Sequence, residues 1–122
     1  MKAKVLVVDD SSMARRKARE ILEGSGHKVI EAEDGAAALD RYSTEKPDLV
    51  LLDMVMSGMY GLDVLRNLRE MDDKAKVIIV TADVQTSTRE IVEQAGSRGV
   101  VTKPIRKDEL LDIVNSVLEE RL

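Results

Sequence analysis

The sequence predicts a doubly wound α/β fold: a five-stranded parallel sheet, order 2-1-3-4-5, covered on both faces by five helices. Three observations predict it. Five short apolar runs recur along the 122 residues, each followed by a longer stretch with apolar residues at helical spacing. The first, third and fourth runs are continuously apolar instead of alternating, the mark of strands buried on both faces. Strict strand–helix alternation, with right-handed crossovers, then brings the helices onto both sides of one sheet.

The elements follow in order. "KVLVV" from Lys4 is the first strand, and Ala14, Ala18, Ile21 and Leu22 mark the first helix, closed by Gly24 and Gly26. "HKVIEA" from His27 is the second strand, followed by Ala38, Leu39 and Tyr42. Pro47 precedes "DLVLL" from Asp48, and Leu62, Leu65 and Leu68 make the third helix. "KVIIV" from Lys76 leads to Ile91, Val92 and Ala95, with Gly96 and Gly99 around that helix's end. "GVVT" from Gly99 is the fifth strand, and Leu110, Ile113, Val114 and Val117 line the last helix. The order 2-1-3-4-5 is that of flavodoxin-like sheets, whose ligand crevice lies at the C-terminal strand ends, between the first and third strands.

Composition narrows the function. With 43% hydrophobic and 34% charged residues the chain reads as one soluble globular domain over 1–122. No apolar run approaches the ~20 residues of a membrane span. The apolar run in "MKAKVLVVDD" stops after four residues, short of a signal-peptide core, so a cytoplasmic location is expected. The absence of cysteine excludes thiol redox chemistry. A net charge of −4 argues against nucleic-acid binding.

The predicted strand ends carry the chemistry. Asp9 and Asp10 end the first strand, Asp53 the third, Thr81 the fourth and Lys103 the fifth. Singly, each has a plain explanation: Asp9 and Asp10 as helix caps, Thr81 as a turn hydroxyl, Lys103 as a solvated loop cation, Asp53 as one more strand-end acid. Jointly they fall where open α/β sheets bind ligands. Three crowded carboxylates repel unless protonated or bridged by a cation, and oxygen-only ligands favour a hard ion such as Mg2+. His27, the one histidine, opens the second strand away from the crevice and reads as structural. An aspartate beside Mg2+, with a lysine and a hydroxyl opposite, has the parts for phosphoryl transfer onto Asp53. Thr81 and the backbone N–H of Ala82 would donate to a phosphoryl oxygen, Lys103 would offset charge, and Gly58 and Gly61 would let the loop turn.

In order and spacing, "VLVVDDSS", "EAEDGAAAL", "PDLVLLDMVMSGMYGL", "VIIVTAD" and "VVTKP" resemble the receiver domain of two-component response regulators, over the whole chain. The resemblance implies that Asp53 accepts phosphate from a histidine kinase. It also implies that Asp9, Asp10, Asp53 and the backbone carbonyl of Val55 hold Mg2+, that Thr81 and Lys103 contact the phosphoryl group, and that the Lys103–Pro104 bond is cis. Such a chain is not an enzyme beyond its own phosphorylation and dephosphorylation. Two positions, Val55 and Asp83, fall where receivers tune the lifetime of the phosphate. Thr81 is half of the family's switch, and Val100 stands where its aromatic partner usually is. Ser57 replaces a frequent proline, and Tyr60 places a ring near the entrance.

No output domain is expected, so the signal would pass by docking. The family's face is the fourth helix, fifth strand and fifth helix, here with Ser87, Glu90, Val101 and Arg106. Single-domain chemotaxis regulators are the nearest match; a phosphorelay intermediate and a phosphorylation-independent binding module are the alternatives. The kinase, a downstream target and a phosphatase are the partners implied. The basic run "RRKAR", Arg15 to Arg19, reads equally as a solvated helix face or a partner contact. A flavodoxin-like cofactor binder is disfavoured because two aspartates would repel an anionic cofactor. A haloacid-dehalogenase-type phosphohydrolase wants an acid where Val55 stands.

Overall fold

A computed structural model of the chain describes residues 2–56, 59–82 and 85–120. The expectations placed on Ser57, Gly58 and Asp83 lie outside the described residues. The elements run β1 (Lys4–Val8), α1 (Ser12–Gly24), β2 (Lys28–Ala32), α2 (Gly35–Glu45), β3 (Leu49–Asp53), β4 (Val55–Met56), β5 (Met59–Tyr60), α3 (Gly61–Met71), β6 (Val77–Thr81), α4 (Thr86–Gln94), β7 (Gly99–Thr102) and α5 (Lys107–Leu118). The main sheet is parallel with order β2-β1-β3-β6-β7. Counted along its own five strands this is 2-1-3-4-5, as the alternation implied.

The continuous apolar runs split by parity into two cores. Val5, Val7, Leu49, Leu51, Ile78 and Val80 pack with Ala18 and Leu22 of α1 and Leu110 and Val114 of α5. Leu6, Val8, Val50, Leu52, Val77 and Ile79 form the other core with residues of α2, α3 and α4. Neighbouring strand residues point to opposite faces, so burying both faces needs every position apolar.

The α1 cap is Ser11, whose hydroxyl accepts the Ala14 N–H at 3.2 Å, so the capping explanation for Asp9 and Asp10 does not hold. Asp34 caps α2 by accepting the Ala37 N–H at 2.8 Å. After α1 the chain reverses at Gly26, whose φ of +91° a side chain rarely tolerates. His27 then closes that corner: it is buried, and its Nδ1 accepts the Ala3 N–H at 3.0 Å. This fits the structural role expected of it.

One element went unread in the sequence, the two-residue antiparallel ribbon β4–β5, in which Val55 pairs with Tyr60 and Met56 with Met59. Its only signal was the Ser-Gly dipeptide between apolar residues, a turn pattern.

Candidate functional site

Register alone assembles the site. Val8 lies opposite both Ala32 and Leu52, Asp53 opposite Val80, and Thr81 opposite Thr102. The residues that follow or end these strands, Asp9, Asp53, Thr81 and Lys103, therefore meet along one edge of the sheet. Asp53 and Thr81 lie inside their strands, one residue beyond the apolar runs.

Asp9, Asp10 and Asp53 each offer a carboxylate oxygen, and these oxygens all lie within 4.8 Å of one another. Asp9 and Asp53 are each 5% exposed, whereas Asp10 faces solvent. The Lys103 ammonium sits between the buried pair, 3.1 Å from Asp9 Oδ2 and 3.2 Å from Asp53 Oδ1. Ser11 donates its N–H to Asp9 Oδ1 at 2.9 Å. Burial, and then the charge of Asp9, push the Asp53 carboxyl above its ordinary range, against the opposing pull of Lys103 and the Val55 backbone N–H. Burial works against the charged form of Lys103 too, but its bonds to Asp9 and the charges of both acids outweigh this and raise it. The donor set is all oxygen, carries more negative charge than one lysine offsets, and faces solvent at Asp10. It fits a hard divalent cation such as Mg2+.

The loop beyond Asp53 folds back tightly. Gly61 donates its N–H to the Met54 carbonyl at 2.7 Å, and a Cβ there would stand 2.4 Å from the Asp53 carbonyl oxygen and 2.8 Å from Met54 Cα. Gly61 is thus needed for close backbone approach to the acid. Val55 and Tyr60, paired across the ribbon, are both exposed beside it. On the far side, Lys103 donates its N–H to the Thr81 carbonyl at 2.9 Å, and the Lys103–Pro104 bond is cis, as the resemblance implied. A cavity of about 440 Å³ opens between α1 and this segment, lined by Ala14, Lys17, Ala82, Lys103, Pro104 and Ile105 among others.

One reading of the surface changes. Val101 is fully buried in the α1/α5 core and cannot belong to a docking face. Helices cover both faces of β7, so Val100 and Val101 are both buried, one in each core. Ser87, Glu90 and Arg106 are exposed as expected, and Ile91, one of the apolar residues whose spacing marked α4, is 48% exposed. Val100 lies in the core shared with α3 and α4, and the alternation of β6 puts Thr81 on the same face.

The basic run also resolves. Arg16 is exposed, 3.5 Å from Glu20 on its own helix. Arg15 instead bonds the Asp9 carbonyl at 2.6 Å and Glu31 at 2.9 Å, and Arg19 bonds Glu31 and the Val29 carbonyl. Neither arginine was separable from Arg16 in sequence, since their partners lie on β2 and its neighbour.

Residues 5–115 match the response regulator receiver domain. The chemotaxis protein CheY of Bacillus subtilis (strain 168) is 34% identical over 119 residues, covering 97% of this chain and 99% of that protein. Protein PilH of Pseudomonas aeruginosa is 37% identical over 118 residues, covering 95% and 98%. Sporulation initiation phosphotransferase F of B. subtilis is 35% identical over 118 residues, covering 97% and 95%. The chemotaxis protein CheY4 of Vibrio cholerae superposes with a TM-score of 0.91 at 26% identity, over 96% of this chain and 99% of that one. With the acids, threonine and lysine gathered at one sheet edge, these likenesses make the chain a member of the response regulator receiver domain family.

Proposed function

We propose that this receiver accepts a phosphoryl group from a histidine kinase onto Asp53 and signals by phosphorylation-dependent docking. The observation that carries the reading is the Lys103 ammonium poised between Asp9 and Asp53 at the mouth of a three-carboxylate pocket.

A carboxylate oxygen of Asp53 attacks phosphorus, the bond to the donor's imidazole nitrogen breaks, and the nitrogen keeps that electron pair. Asp9, Asp10, Asp53 and the Val55 carbonyl are the ligands that would hold Mg2+, and the ion would supply neutralisation of the negative charge at the site. Lys103, already within reach of Asp53, exchanges a carboxylate partner for the phosphoryl group. The Thr81 hydroxyl and the Ala82 N–H donate to a second phosphoryl oxygen. Val55 and Asp83 are the positions we read as tuning the lifetime of the acyl phosphate.

Thr81 moving toward the phosphoryl group frees space on the face it shares with Val100. We read that as the coupling to α4, with a smaller side chain changing place than an aromatic switch would move. The docking face then comprises Ser87, Glu90, Ile91 and Arg106, and phosphorylation biases it toward the partner-binding form. The likeness to CheY favours chemotaxis; the likeness to a sporulation phosphotransferase favours a phosphorelay intermediate as the second reading. A phosphatase and the kinase would both approach over the exposed Val55–Tyr60 pair and the cavity beside Lys103. We place the protein in the cytoplasm; among the described residues no helix is long and apolar enough to cross a membrane.

Acetyl phosphate with Mg2+, followed by intact mass, tests the chemistry. One phosphoryl adduct that vanishes in Asp53→Asn is expected. An adduct that survives in that variant, or none in the wild type, overturns the mechanism and leaves the phosphorylation-independent module.

A further inference from the structure

We infer that Arg15 is a positioning residue for the acidic pocket, fixing the peptide plane between Asp9 and Asp10 and thereby setting the affinity for Mg2+. The inference rests on the reading above, in which those acids hold the cation.

Arg15 Nη1 donates to the Asp9 carbonyl oxygen at 2.6 Å, and Nε donates to Glu31 Oε1 at 2.9 Å. The Arg15 side chain is only 14% exposed. Glu31 is itself pinned by Arg19, whose Nη2 bonds the Val29 carbonyl at 3.1 Å. The frame reaches β2 and returns to the pocket, because the Asp9 N–H donates to the Ala32 carbonyl at 3.2 Å. Asp9 is therefore held at its N–H, its carbonyl and both carboxylate oxygens, the latter by Ser11 and Lys103.

The carbonyl bond matters most for Asp10. A peptide unit is planar, so fixing the Asp9 oxygen fixes the Asp10 nitrogen and the direction in which Asp10 leaves the strand. Asp10 is the exposed member of the trio and sits beyond the last strand residue, and this plane sets the direction from which its side chain starts.

Charge and position make opposite predictions here. If Arg15 acted on the pocket only as a nearby cation, removing it would tighten Mg2+ binding. Glu31 balances that charge, and a positioning role predicts weaker binding. Loss of such an outer partner typically lowers metal affinity 10–100-fold; Mg2+, which keeps several waters, falls at the lower end, about tenfold.

The experiment is a MgCl2 titration followed by the amide shifts of Asp10 and Ser11, on wild type, Arg15→Met, Arg15→Lys and Arg98→Met. Arg98 pairs with Glu120 at 2.5 Å with side chains 21% and 32% exposed, a comparable half-buried pair at the opposite end of the sheet. Arg15→Met is expected to bind Mg2+ about tenfold more weakly, Arg15→Lys to fall between, and Arg98→Met to match wild type. Unchanged or tighter binding in Arg15→Met overturns the inference, as does equal weakening in Arg98→Met. Should Arg15→Met fail to fold by circular dichroism, Arg15→Lys decides: one ammonium cannot span both acceptors in a guanidinium's geometry, so wild-type affinity there overturns the inference as well. A wild type that binds no Mg2+ instead defeats the functional reading on which this rests.

Discussion

Replacing Lys103 by methionine should strengthen Mg2+ binding, although this lysine is one of the groups assigned to phosphoryl transfer. The ammonium lies 3.1 Å from Asp9 and 3.2 Å from Asp53, so it occupies part of the electrostatic role a cation would take. At an effective dielectric near 20, each contact has a gross attraction of about 5 kcal/mol. Desolvation removes much of that, and breaking a buried pair usually costs about 3–5 kcal/mol. With its side chain 29% exposed, Lys103 belongs below that range, at about 2 kcal/mol in the absence of metal. The variant leaves the acids mutually repelling, so bound Mg2+ should recover most of the loss. A tenfold gain in affinity adds about 1.4 kcal/mol of metal-linked stability at saturation, or about 5 °C for a domain of this size. The assay is thermal unfolding by circular dichroism in EDTA and in saturating Mg2+. The variant should melt below wild type in EDTA and gain more from the metal. An equal or smaller gain would refute the placement of Lys103 on these acids. Such a variant should nonetheless transmit poorly, and normal partner binding by its phosphorylated form would count against the role assigned to the ammonium.

Three further outcomes are expected. Gly61→Ala puts a methyl 2.4 Å from the Asp53 carbonyl oxygen and must displace backbone; a loss of about 2–3 kcal/mol by urea unfolding is expected, with reduced acetyl-phosphate labelling, and a neutral result would contradict the close approach. Burial lowers the His27 pKa from its ordinary 6.5, so the unfolded chain binds a proton first, and stability present above that value declines as pH falls below it toward the folded value. His27→Asn, which keeps an acceptor for the Ala3 N–H, should flatten this slope between pH 7 and the folded pKa, and an unchanged slope would show another group responsible. Tyr42 donates its hydroxyl to Asp72 at 2.7 Å, a bond that holds the Asp72 carboxyl below its usual range; Tyr42→Phe should cost about 1 kcal/mol and let Asp72 titrate higher, measured by carboxyl chemical shift.

The five main strands were legible because residues such as Val5 through Val8 and Val50 through Leu52 are buried on both faces, leaving no alternation to misread. The site was legible because parallel register sends every strand end to one edge. What escaped were facts of orientation. Val101 was placed on the surface because the resemblance assigns the fifth strand to a docking face, yet its side chain points into the α1/α5 core. Helical spacing marked α4 by Ile91, Val92 and Ala95 without separating them, and it is Val92 that α4 buries while Ile91 faces solvent. Ser11 rather than the acid pair caps α1, a choice that single-residue propensities do not make. Arg15, Arg16 and Arg19 look alike in a string of basic residues; only the proximity of β2 assigns two of them to Glu31.

Asp53 itself is expected to carry the phosphoryl group, in a metal-dependent reaction. Borohydride trapping after acetyl phosphate treatment, which reduces an acyl phosphate to the alcohol, followed by peptide mass mapping with and without EDTA, measures this. Homoserine at position 53, formed with Mg2+ and lost in EDTA, is the predicted result. Conversion at Asp9 or Asp10 instead, or labelling of Asp53 that EDTA leaves untouched, would contradict it.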